Sequence, residues 1–176
     1  KRKQDVGTIM LGFAVLMSGM TLMSDAMKPL ADSPEFSSVL TSFYSLPLAP
    51  ILGVAVGAIF TGIIQSSAAS VGILQALSLT GNITFGMALP VIMGQNIGTC
   101  VTAIISSIGV NKNAKRVSVI HILFNLIGTA VFLILFYGLN LIFKFNFLNN
   151  AISPVGIAAV HSVFNIATTV ILFPFA

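Results

Sequence analysis

From Phe36 to Asn111 the sequence contains no Asp, Glu, Lys, Arg or His. A fold in water cannot cover its surface from so long an uncharged stretch, whereas lipid asks for no polar cover. Across the 176 residues, 56% are hydrophobic and 7% are charged, against about 25% charged in soluble domains. The solvent is therefore a bilayer, and the chain reads as an all-α polytopic membrane protein. The net charge of +4 does not point to nucleic acid. Its basic residues flank apolar runs, where they set topology.

Residues 1–176 read as a single transmembrane domain. The first span covers about residues 6–27, which is too long for a signal-peptide core and has no A-x-A pattern after it. Lys28-Pro29 ends it. Ala31 to Ala49, broken by Pro34 and Pro47, reads as a surface segment with an interfacial helix around Phe36 to Tyr44. Two further spans are expected over 117–143 and 151–175. Cys100 is the sole cysteine, which excludes a disulfide framework and a cysteine metal site.

The run from Pro50 to Leu79 carries Gln65-Ser66-Ser67 at its middle and closes in the turn Thr80-Gly81-Asn82. As one helix it would be about 45 Å long, against about 30 Å of hydrocarbon. Charge decides the alternative. If residues 50–79 form a re-entrant hairpin, Lys1, Arg2 and Lys3 lie on the same side as Lys112, Lys115 and Arg116. A single crossing would separate the two basic clusters, against the positive-inside rule. The expectation is a hairpin entering from outside, with both termini cytoplasmic, in the plasma or inner membrane. Gly53 and Gly57 give its first leg a small-x-x-x-small spacing for close helix approach.

Residues 84–110 hold a second polar centre, Gly94-Gln95-Asn96-Ile97-Gly98-Thr99, read as a broken helix with freed backbone groups. Such backbone is tolerated at membrane depth only against protein or a water-filled cavity. Two interrupted elements at the midplane are how secondary transporters build their sites.

Ser66 and Ser67 open the second leg, where a helix N-terminus attracts anions. Oxygen ligands for a weakly held cation such as sodium would come from Gln65, Ser66, Thr99 and Thr102. The bland alternative is polar glue between membrane helices, but two clusters centred in overlong apolar runs favour a site. His121 and Asn125 share a helix face, as do His161 and Asn165. This His-x-x-Phe-Asn pattern recurs 40 residues on, with Thr129 and Thr169 at matching offsets. The pairs read as structural polar clamps, with an intramembrane proton relay as the alternative. Cys100 and the methionines of the first span read as packing. A hydrolytic Ser–His dyad lacks a Gly-x-Ser-x-Gly turn, an acid in the membrane stretch and any metal-ligand spacing, so an enzyme is not expected.

Gln65-Ser66-Ser67-Ala68-Ala69-Ser70 after a glycine-rich leg comes first. Gly94-Gln95-Asn96-Ile97-Gly98-Thr99-Cys100-Val101-Thr102 follows, and then the paired His-x-x-Phe-Asn segments. Together, and in this order, they resemble the type II sodium–phosphate cotransporter family over nearly the whole chain. The chain looks like the second of that family's two inverted repeats. The resemblance implies inward transport of inorganic phosphate coupled to sodium. Ser66, Ser67 and Asn96 would face phosphate, and Gln65, Ser66, Asn96, Thr99 and Thr102 would hold Na+. It also implies, as partners, membrane lipid and either a first repeat or a second copy in opposite orientation, and no nucleic acid. The chain begins without methionine and is expected to be half of a transporter, with a cytoplasmic regulatory domain following in some bacterial members. Ala68 replaces the family's usual third serine, Gln95 a usual Ala or Ser, and Cys100 a usual Thr. The alternatives are a sodium-coupled carrier of carboxylate or sulfate, and a non-transporting scaffold or regulatory subunit. Transport requires Gln65–Ser67 and Asn96–Thr99 to converge on one water-accessible point.

Overall fold

Apolar runs punctuated by cap residues give helices throughout the computed structural model, which describes residues 2–31, 33–35, 38, 44, 46 and 48–175. In chain order these are α1 (Arg2–Ala31), α2 (Ala49–Ile64), α3 (Ser67–Ser78), α4 (Phe85–Gly98), α5 (Cys100–Ser106), α6 (Lys112–Phe143) and α7 (Pro154–Leu172). Among the described residues there is no strand beyond one isolated bridge, Thr84 with Ala151. The interfacial helix expected around Phe36 to Tyr44 lies largely outside the described residues.

The helix starts follow from side-chain chemistry. Thr84 Oγ1 accepts from Met87 N at 3.4 Å, Asn111 Oδ1 from Ala114 N at 2.9 Å, and Ser153 Oγ from Gly156 N at 3.1 Å. Each satisfies a donor that the first turn leaves without a partner. Four stretches are long and apolar enough to cross a membrane: Lys3–Met23, Phe85–Ser106, Lys112–Phe143 and Pro154–Leu172. The protein is a multi-pass membrane protein. Helices α2 and α3, of 16 and 12 residues, reach only about 24 and 18 Å at the helical rise.

The most extensive pairing joins α2 to α4. Gly53 sits over the Pro90 ring, Gly57 over the Val91 carbonyl, Gly94 over the Val54 carbonyl, and Gly98 over Ala58 and Thr61. The register advances in step on both helices, so they run parallel. Between them the chain doubles back: α3 is tied to α2 by a 2.6 Å hydrogen bond between the hydroxyls of Thr61 and Ser70. Helix α1 packs along α3, with Met23 against Gly72, and its flank is exposed from Ile9 to Leu16.

Gly94 and Gly98 therefore serve helix approach rather than unwinding. Both remain inside α4, and the interruption before α5 is Thr99 alone, with φ −63° and ψ −23°. The sequence places looseness at the glycines. The structure uses their missing side chains instead, because carbonyls of α2 occupy that space.

At the end far from the α2–α3 junction, Ile152 N donates to Ile83 O at 2.9 Å and Phe85 N to Asn150 O at 3.0 Å. These bonds fasten the α3–α4 turn to the α6–α7 linker. The buried core, Leu74, Leu77, Ile83, Ala88, Ile92, Ile152 and Ile157, packs around this tie. Phe85, Phe136, Phe145 and Phe147 surround the linker with ring centroids 5.6–6.2 Å apart. The core anchors one end of the helices and leaves the other end to the polar residues.

Candidate functional site

The break between α2 and α3 is two residues wide. Gln65 ends α2 in the left-handed region, φ 57° and ψ 22°, and its N–H donates to Thr61 O at 2.7 Å. Ser66 is extended, and its Oγ accepts from Ala69 N at 3.2 Å, capping α3. A non-glycine residue held left-handed costs about 1–2 kcal/mol, so neighbouring contacts must impose the turn. Thr61 and Ser70, both fully buried, supply one contact through their hydroxyls. Gln95, also buried, supplies another by donating from Nε2 to Ser70 O at 3.1 Å.

On the other side of α3, a cleft of about 390 Å³ is lined by Ser67, Asn96, Thr99, Thr102, His121, Phe124, Asn125, His161 and Asn165. Segments distant in sequence meet here: the start of α3, the α4–α5 junction, and the His-x-x-Phe-Asn faces of α6 and α7. No formally charged residue lines the cleft, so its chemistry is that of neutral donors and acceptors.

Several side chains already give a donor to the main chain, although each amide nitrogen keeps a second N–H. Asn96 Nδ2 donates to Ile92 O at 3.0 Å, Asn125 Nδ2 to His121 O at 2.9 Å, and Asn165 Nδ2 to His161 O at 2.8 Å. Thr99 Oγ1 donates to Asn96 O at 2.5 Å, and Thr102 Oγ1 to Thr99 O at 2.8 Å. A hydroxyl that has donated its proton keeps its lone pairs, and an amide fixed through nitrogen keeps its carbonyl oxygen. The region of Asn96, Thr99 and Thr102 is thus rich in unclaimed oxygen. The start of α3 is the opposite. The Ser67 hydroxyl has no protein partner among the described residues, and the N–H groups of Ser67 and Ala68 fall in the first turn, beyond the intrahelical ladder.

The structure brings Ser67, Asn96, Thr99, Thr102, His121, Asn125, His161 and Asn165 to one cleft, and leaves Gln65 and Ser66 off its lining. Gln65 is exposed, and the Ser66 Oγ accepts the cap bond while its O–H remains a donor. In each His–Asn pair the amide meets the histidine's carbonyl, so the ring takes no part in the bond. Three elements escape the sequence reading: Phe124 in the lining, the Thr61–Ser70 bond, and the cross-tie from Gln95. The last two join separate helices, and no spacing within one helix announces them. Only the unusual size of Gln95 beside Gly94 hinted that it fills a particular space.

The sequence profile of the Na+/Pi-cotransporter family matches residues 15–171. The chain belongs to this family. It is 30% identical over 130 residues to the uncharacterized protein YqeW of Bacillus subtilis, covering 74% of this chain and 41% of the relative. It is 30% identical over 132 residues to the putative inorganic phosphate export protein YjbB of Salmonella typhimurium, covering 75% and 24%. The human sodium-dependent phosphate transport protein 2B is 32% identical over 90 residues, covering 48% and 13%. The chain thus spans less than half the length of these curated relatives. No solved structure matches it significantly. The family's match embraces the α2–α3 break, the α4–α5 junction and both His-x-x-Phe-Asn helices, so every residue of the cleft lies within it.

Proposed function

We propose that this chain forms one half of a secondary transporter that moves inorganic phosphate across a membrane together with sodium. The observation that carries the reading is the convergence of four polar segments from separate helices on one uncharged cleft. A scaffold needs polar glue between pairs of helices but no shared open space. Ser67, with Ser66 and Asn96 beside it, would take phosphate at the start of α3, where unpaired N–H groups and the positive end of the helix dipole favour an anion. Asn96, Thr99 and Thr102 would hold sodium through oxygens, with Gln65 and Ser66 approaching from the hairpin side. Neutral groups suit both ions, because a cargo must leave as readily as it enters.

The legs of α2 and α3 are each shorter than the hydrocarbon thickness. This supports a re-entrant hairpin over 50–79 whose tip sits at mid-membrane, entered from outside, with both termini cytoplasmic. A second, inverted repeat or a second copy of the chain would face the open cleft and complete the site. Sodium would then drive phosphate inward. Outward movement is the second reading, favoured by the word export in the name of the Salmonella relative.

Labelled phosphate uptake into proteoliposomes holding the full-length protein tests the function. Uptake should require an inward sodium gradient and should collapse when potassium replaces sodium. In the same vesicles, Gly81→Cys should react with an impermeant thiol reagent from outside and Asn113→Cys should not. Sodium-independent uptake, or labelling of Asn113→Cys alone, would overturn the coupling and the orientation respectively.

A further inference from the structure

Oxyanions need hydrogen-bond donors, and most polar side chains of the cleft have already given one to the main chain. The Nδ2 groups of the three asparagines and the hydroxyls of Thr99 and Thr102 donate to backbone carbonyls of their own helices. Each asparagine keeps a second N–H, but apart from Ser67 the polar side chains of the lining that make no hydrogen bond among the described residues are His121 and His161. Both line the cleft, and neither ring has a hydrogen-bond partner among the described residues. The same local device frees both. The asparagine four residues on bonds the histidine's carbonyl, at 2.9 Å in α6 and 2.8 Å in α7. That bond anchors the asparagine and asks nothing of the imidazole. The bond within each pair therefore spares the ring.

We propose that His121 and His161 are anion-binding and specificity-determining residues of the cleft, holding phosphate from the side opposite Ser67. This rests on the phosphate reading above and adds two residues to it. A neutral imidazole carries one N–H donor and one lone pair. The donor suits a bare phosphate oxygen. The lone pair suits the remaining P–O–H of a phosphate that still carries a proton. Sulfate, which carries no proton near neutral pH, would leave that lone pair facing another oxygen. A site that leaves a polar group unpaired discriminates far more strongly than one that loses only apolar contact. Two imidazoles on neighbouring helices therefore give the cleft a means of preferring phosphate over sulfate without any fixed charge.

The test measures phosphate and sulfate affinity, by competition against labelled phosphate, for the full-length protein in proteoliposomes. His121→Ala and His161→Ala should each weaken phosphate about tenfold or more, the effect expected for a hydrogen bond to a charged ligand. Sulfate affinity should change less, so the preference narrows. His→Gln at either position, which keeps a donor and an acceptor, should recover part of the loss. Because the alanine variants risk misfolding, the unmutated protein provides a second readout. Inorganic phosphate, but not chloride, should protect both histidines from diethyl pyrocarbonate, scored by peptide mass spectrometry. If alanine variants keep wild-type phosphate affinity and preference, or phosphate gives no protection while uptake proceeds, the histidine proposal is wrong and the transport reading stands. If the unmutated protein neither binds nor moves phosphate, both fall.

Discussion

Ser67→Ala in the full-length protein should lower apparent phosphate affinity about ten- to hundredfold while changing sodium affinity much less. Ser67 opens α3 and lines the cleft, and its hydroxyl has no protein partner among the described residues. On the proposed reading the variant would remove one hydrogen bond to a charged ligand, worth about 1.5–3 kcal/mol. It leaves the Ser66 cap and the Thr61–Ser70 bond in place, so α3 should still form. Gln65→Gly is the complementary variant. Glycine enters the left-handed region freely, so the turn survives while the amide is lost. Sodium dependence should weaken in this variant, with phosphate affinity at saturating sodium little changed. An unaltered sodium dependence would remove Gln65 from the cation set. Sodium titrations of initial uptake rate on both variants separate these outcomes.

Gly94→Val should be the most damaging single change in the membrane region. A Cβ at this position falls onto the Val54 carbonyl and lies 2.9 Å from Ala58 N, both backbone atoms that cannot rotate away. Overpacking of this kind costs typically about 1–3 kcal/mol, and more where backbone must move. A stability of roughly 5–15 kcal/mol leaves little margin for such a loss. The expected results are a clear fall in thermal unfolding temperature in detergent and a loss of uptake, since α4 carries Asn96 and leads into Thr99, which line the cleft with Ser67. Gly138→Ala is the control. Nothing lies within 4 Å of a Cβ there, and alanine is the better helix former by about 1 kcal/mol. It should unfold at the same temperature as the unmutated protein or slightly higher.

The contrast between these glycines marks how far the sequence could be read. An uncharged run with Gln65-Ser66-Ser67 at its centre announced an interruption, because polar side chains and a length too great for the bilayer are local facts. Periodicity likewise placed each histidine on one face with its asparagine. It did not reveal which atoms meet. The asparagine reaches a main-chain carbonyl, a choice set by helix geometry and invisible in a pattern of residue types. Gly94 and Gly98 suggested a loosened backbone because glycine has two uses, flexibility and close approach. Only the position of α2 tells which one applies. The Thr61, Ser70 and Gln95 contacts depend on three helices meeting, so no single segment encodes them. Ser66 also caps α3 through its oxygen, a second role that residue type alone does not announce.

If phosphate and sodium occupy touching sites, as proposed, each must influence the other, and that influence is reciprocal at equilibrium. The most direct test is the dissociation constant of phosphate for the full-length protein, measured calorimetrically over a range of sodium concentrations, with the converse titration alongside. The shared-cleft account predicts that sodium tightens phosphate and that phosphate tightens sodium by the same factor, with Ser67→Ala weakening phosphate throughout. Phosphate binding that is indifferent to sodium and to Ser67 would contradict it.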